Sequence, residues 1–181
     1  MRRLLIGLLA LAFAPAALAQ PAHAPHEHGV AELRVGMDGQ ILLVEFESPL
    51  DNLVGFESAP RTKAQRDALT AAEQQLTRFE GLFILPAAAA CTVKETKLHL
   101  AGSEADDDHD HDHSDKDDHG GTHSDMQATY QLQCAAPQAL TAIEVKVFDA
   151  FPRTFRIRAE IAIPRGQNSL TLSPSKRTLP L

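Results

Sequence analysis

The chain has 181 residues, 24 of them acidic and 17 basic, for a net charge of −7, and 44% of it is apolar. That length fits one domain, and the apolar share is enough to build a globular core. The acidic balance argues against nucleic acid or an anionic lipid surface as a partner.

The chain opens with Arg2 and Arg3, a short apolar run from Leu4 to Phe13, and Ala17-Leu18-Ala19. A basic end, an apolar centre and an A-x-A site predict an export signal over residues 1–19, cleaved after Ala19. The apolar run is too short to span a bilayer. Residues 20–181 are therefore expected to form a single exported domain in a bacterial periplasm. Gln20 to Gly29 reads as a polar, proline-containing arm that carries His23, His26 and His28.

Alternation begins next. Ala31, Leu33 and Val35 point one way, and Leu42, Val44 and Phe46 do the same after a turn at Gly36-Met37-Asp38-Gly39. Period-two patterning on both sides of a turn predicts a β-hairpin. A helix is expected after Pro60, because Thr62-Lys63-Ala64-Gln65 fits a capping box. Leu69, Ala72, Leu76 and Phe79 recur at three and four residues and mark its core face, and Gly81 suits its end.

Thr92 to Leu100 reads as a strand in which His99 shares the solvent face with Glu95 and Lys97. Ala128, Tyr130, Leu132 and Cys134 alternate with polar residues in a further strand. Two more are predicted from Ile143, Val145 and Val147, and from Phe155, Ile157, Ala159 and Ile161, with a turn at Asp149–Arg153 between them. A last short strand is expected around Leu170 to Leu172. About six or seven strands and one main helix predict an α+β domain with a mainly antiparallel sheet and a long disordered loop.

That loop, residues 103–125, is the chain's chemical signature. It holds Glu104, nine Asp, one Lys, and the five imidazoles of His109, His111, His113, His119 and His123. Its charge is −9, equal to that of the whole chain without Arg2 and Arg3, so the remainder is nearly neutral. So polar a segment cannot bury itself and is expected to stay solvated and disordered. Loops of this length in compact domains are usually functional or disordered.

A solubilising tract would account for the aspartates but not for five histidines. His109, His111 and His113 alternate with Asp110 and Asp112, which places three imidazoles on one side of an extended chain. Imidazole and carboxylate together suit zinc, nickel, cobalt or copper(II), whereas copper(I) prefers the thioether ligands that this chain almost lacks. Several exchanging sites are expected here, because ordering a flexible loop at each binding event weakens affinity. His23, His26 and His28 are candidates for a more rigid site beside the first strand, or else plain tail residues. Metal ligands must be neutral imidazoles, so zinc binding is expected to fall as the pH drops through about 6.5.

Cys91 and Cys134 flank the tract. In an exported chain such a pair is expected to form a disulfide at the loop's neck, worth about 3–4 kcal/mol by loop closure. Thiolate ligation of metal is the alternative. No G-x-S-x-G elbow, H-E-x-x-H helix or phosphate-cradling glycine loop occurs, so no enzyme is expected.

The order of several motifs resembles the ZrgA family of zinc-regulated periplasmic proteins. These are His26-Glu27-His28-Gly29-Val30-Ala31-Glu32-Leu33, Glu47-Ser48-Pro49-Leu50-Asp51-Asn52-Leu53-Val54-Gly55-Phe56-Glu57, Ala59-Pro60-Arg61-Thr62, Cys91, the His/Asp insertion, Cys134-Ala135-Ala136-Pro137 and Val147-Phe148-Asp149-Ala150-Phe151-Pro152. The resemblance implies a periplasmic protein that binds Zn(II) and assists high-affinity uptake beside an ABC importer. Relatives often carry His where this chain has Ser58, so Glu57 and Asp149 are candidate substitutes as ligands. A passive buffer of nickel, copper(II) or zinc is the rival expectation. A module that docks its acidic loop to a basic partner is another.

Overall fold

The structure is a computed structural model and describes residues 27–101 and 124–181. Nine strands and four helices occur among the described residues, and three of the helices span only four or five residues. The hairpin is β1 (Val30–Asp38) and β2 (Ile41–Pro49). The strand runs on through the predicted turn, and the reversal falls at Gly39-Gln40, with Gly39 at a φ of 57°. α1 (Leu50–Val54) follows β2 directly, an element that no periodicity announces in so short a segment.

α2 (Lys63–Leu76) starts at the predicted capping box: the Thr62 hydroxyl accepts from the Gln65 N–H, and the Gln65 side chain accepts from the Thr62 N–H. It stops before Gly81, however. The backbone breaks at Thr77, and a separate turn, α3 (Phe79–Leu82), encloses Gly81. Phe79 stays buried with Ala72 and Leu76, because the break leaves it on the same face.

β3 (Phe83–Ile84), β4 (Cys91–Ala101), β5 (Asp125–Cys134) and β6 (Ala142–Val145) come next. Val147, expected in β6, instead begins α4 (Val147–Ala150) and is buried there. β7 (Arg156–Ile163), β8 (Gly166–Leu172) and β9 (Thr178–Pro180) complete the chain. Phe155 was expected to face inward but precedes β7 and is 62% exposed.

Six strands form one sheet in the order β4-β5-β2-β1-β7-β8, and β3-β6-β9 form a second, small one. Neighbours pair antiparallel except β1 and β7, which run parallel, so the large sheet is mixed. Leu33, Val35, Val44, Phe46, Ala128, Tyr130, Ile157 and Ala159 line its inner face and are buried. α2 and α3 contribute Leu76, Phe79 and Leu82 to the same core. Phe79 meets the Tyr130 ring edge-on at 5.2 Å, and the Tyr130 hydroxyl donates to the Leu76 carbonyl at 2.5 Å. One of the orphan carbonyls at the end of α2 is thereby satisfied.

Cys91 and Cys134 do form a disulfide. It is not at the loop's neck. The two residues pair at the far end of the β4–β5 hairpin, ten strand positions from the Ala101–Asp125 pair that closes the loop. At about 3.3 Å per residue the separation is roughly 30 Å. The neck is held by the ladder itself, and Ser124 and Asp125, the last two residues of the predicted loop, are buried in the fold. The Ser124 carbonyl accepts from the Leu50 N–H at 2.9 Å, which ties the loop's exit to α1.

Candidate metal centre

His28 sits at the corner of a turn. The Val30 N–H donates back to the Glu27 carbonyl at 3.0 Å, and Gly29 takes a φ of 78°. A positive φ at the third position is the glycine place of a type II turn. Gly29 is required for a second reason: a Cβ there would lie 2.5 Å from the Phe155 ring. The exposed Phe155 thus covers the glycine, and the Gly29 carbonyl accepts from the Phe155 and Arg156 N–H groups at 2.7 and 3.0 Å. The turn is thereby fastened to the start of β7.

A buried side chain fixes it from the other side. Asn52 of α1 is 1% exposed; its Oδ1 accepts from the Gly29 N–H at 2.6 Å, and its Nδ2 donates to the Val30 carbonyl and to Ser48 Oγ. α1 then ends at Gly55 with a φ of 84°, in the left-handed region that commonly closes helices. Two residues later the chain reaches Glu57. Asn52 therefore sets the spacing between the segment that carries His28 and the one that carries Glu57.

The result is a direct pair, in which His28 Nε2 hydrogen-bonds Glu57 Oε1. The imidazole side chain is 62% exposed and the carboxylate 25%. A nitrogen and a carboxylate oxygen converging at a solvent-reachable corner are a donor set suited to zinc and its neighbours. Among the described residues no group of three or more His, Cys, Asp or Glu is placed to hold a metal. Two donors are also fewer than the three or four that zinc takes from proteins.

Of the histidines predicted as ligands, His28 alone lies among the described residues. His23, His26, His109, His111, His113, His119 and His123, with Asp110 and Asp112, lie outside them. His99 faces solvent on β4 as expected, opposite Gln127. Cys91 and Cys134 are joined to each other. Of the two candidate substitutes, Glu57 is the one brought to His28. Asp149 pairs with Arg177 at 2.6 Å, and that hydrogen bond and charge hold its carboxyl below the usual range. Sequence reading gave Asn52 no role of its own and quoted it only within the Glu47–Glu57 motif, because its buried contacts to Gly29 and Val30 come from 22 or more positions away.

Sheet register adds a relation that neither segment reveals alone. Ala101, Asp125 and Pro49 stand in one row across β4, β5 and β2. The β1–β2 register, extended by two residues, puts Val30 in the same row, and Arg156 follows it. Two strand spacings, about 10 Å, separate the backbone just after His28 from the backbone just after the acidic segment. Both histidine-bearing segments therefore enter the fold at one end of one sheet.

A protein-family model described as ZrgA family zinc uptake protein matches residues 25–181. The chain belongs to the ZrgA family. The match takes in every described residue, including the His28 turn, Asn52, Glu57 and the disulfide. Comparison with curated proteins gave no match. Membership in the ZrgA family associates the chain with zinc uptake, and among the described residues no helix is long and apolar enough to cross a membrane.

Proposed function

We propose that this ZrgA-family chain is an exported zinc-binding protein of the periplasm that captures Zn(II) and assists its high-affinity uptake, handing it to an ABC importer. It performs no bond chemistry. Zinc is its cargo, collected by the residue 103–123 segment through His109, His111, His113, His119 and His123 with Asp110 and Asp112. A more selective site is built on His28 and Glu57 and completed from the arm by His26 and His23.

The observation that carries this reading is the His28–Glu57 pair, held by the buried Asn52 at the sheet end where the acidic segment enters. A weak, crowded collector next to a preorganised site suits capture followed by retention. Ligand number supports the division. Many equivalent donors crowded along one segment favour rapid exchange, while donors fixed by turns and buried hydrogen bonds lose less freedom on binding.

Calorimetric zinc titration tests the proposal on three proteins: the parent chain, a version with residues 103–123 replaced by a short turn, and that version carrying His28→Ala. The replacement is expected to remove the weaker sites and keep one tight site. His28→Ala should then weaken that site by more than the roughly 10–100-fold that follows loss of a ligand's supporting partner. Loss of all binding on replacement alone would reject the ordered site and leave the acidic segment as the sole receptor.

A further inference from the structure

His28 is flanked by a carboxylate that does not serve the pair with Glu57. Glu27 Oε2 accepts from Arg158 Nη2 at 2.8 Å, and its Oε1 accepts from Arg156 Nη2. Arg158 also reaches Glu32 Oε1 with Nη1 at 3.2 Å. Both arginines stand on β7, in parallel register with the first residues of β1: Arg156 is opposite Val30, and Arg158 is opposite Glu32.

We propose that Arg156 and Arg158 are positioning residues for the zinc site, holding the Glu27 carboxylate so that the His28 imidazole is presented to Glu57. The proposal rests on the reading that His28 and Glu57 receive zinc. Backbone bonds fix Gly29 from both sides, but His28 itself lies one residue upstream of that anchorage. The turn's first residue, Glu27, is tied by its carbonyl to Val30 and by its carboxylate to the two guanidiniums. The parallel pairing of β1 with β7 is what makes this possible, since it starts both strands at the same end. A carboxylate held by two guanidiniums has a defined direction, because each of its two oxygens accepts from a different arginine. Freed from them, Glu27 would swing in solvent, the corner carrying His28 would move with it, and the imidazole would no longer be held toward Glu57.

The sign of the effect separates positioning from simple electrostatics. Removing two positive charges beside a divalent cation should tighten its binding by Coulomb's law, and so should freeing Glu27 to act as a ligand. The positioning role predicts the opposite. With the full chain, zinc is titrated against a competing chelator that reports the tightest site, and His28→Ala identifies which phase belongs to that site. The double variant Arg156→Gln/Arg158→Gln is expected to weaken this phase about tenfold. Glu27→Gln should weaken it by a similar factor, and combining all three changes should add little, as expected when the partners form one unit.

Melting temperatures should stay near the parent's, and the single Arg158→Gln variant serves if the double one fails to fold. Binding that is unchanged or tighter in the arginine variants overturns the positioning role. If His28→Ala leaves every phase intact, the underlying site reading fails instead, and that result is distinct from any response of the arginine variants.

Discussion

Asn52 touches both halves of the candidate site from inside the fold, so its loss should be felt in two separate measurements. Asn52→Leu strands the Gly29 N–H and the Val30 carbonyl in a buried place, where each unsatisfied group costs about 1–3 kcal/mol. Urea denaturation should show a loss of a few kcal/mol, and zinc titration a weakened tight site. Tyr130 offers a control remote from zinc. Tyr130→Phe removes the donor to the Leu76 carbonyl and should cost about 1–2 kcal/mol in urea while leaving zinc binding intact. Burial pushes the Tyr130 hydroxyl well above its ordinary value of 10. A raised pKa in the fold means that ionisation favours the unfolded chain. This stabilisation is therefore complete below about pH 10 and is lost as the pH climbs beyond it. The parent's stability should fall more steeply above that pH than that of the Phe variant.

At the scale of elements, the disulfide and the acidic segment prove to be independent devices. Cys91→Ser/Cys134→Ser should lower unfolding free energy by up to about 4 kcal/mol on a loop-closure account. The loop's neck should stay closed, because the Ala101–Asp125 ladder and the Ser124–Leu50 bond hold it. Amide exchange at Asp125 and Met126 that stays slow in the serine variant would bear this out. Fast exchange there would return the disulfide to the neck role that its sequence position suggests. At the start of α2, Thr62→Ala removes one side of the capping box and should cost about 1 kcal/mol by thermal unfolding, with no effect on zinc. That box was legible because capping uses residues three apart. The end of the same helix was not, because the break at Thr77 follows from packing Phe79 and Leu82 under the sheet rather than from Gly81.

For the whole molecule, the charge distribution and the sheet end coincide. The −9 of residues 103–125 enters the fold about 10 Å from the His28 turn, so its field raises the local concentration of cations at that corner. Zinc association should therefore slow as ionic strength rises, and stopped-flow titration of the parent against the loop-replaced version checks it. The parent should show the steeper salt dependence, whereas equal slopes would remove the steering role.

What the sequence determined by itself was whatever repeats over short distances. Alternation marked Ala31 to Val35, Leu42 to Phe46 and Ala128 to Cys134 as strands with the correct buried faces. Composition singled out the acidic segment as a candidate, and the ordered motifs pointed to the family that residues 25–181 match. Beyond the β1–β2 hairpin, tertiary structure decided which strands meet. Nothing local in β1 or β7 says that they run parallel, that Glu57 returns to His28 from 29 positions away, or that the disulfide lies at the far end of its hairpin. The physical reason is that periodicity records which face of a segment avoids water. Pairing partner, direction and register are set by contacts between distant residues, and in this protein those contacts place two histidine-bearing segments at one end of one sheet.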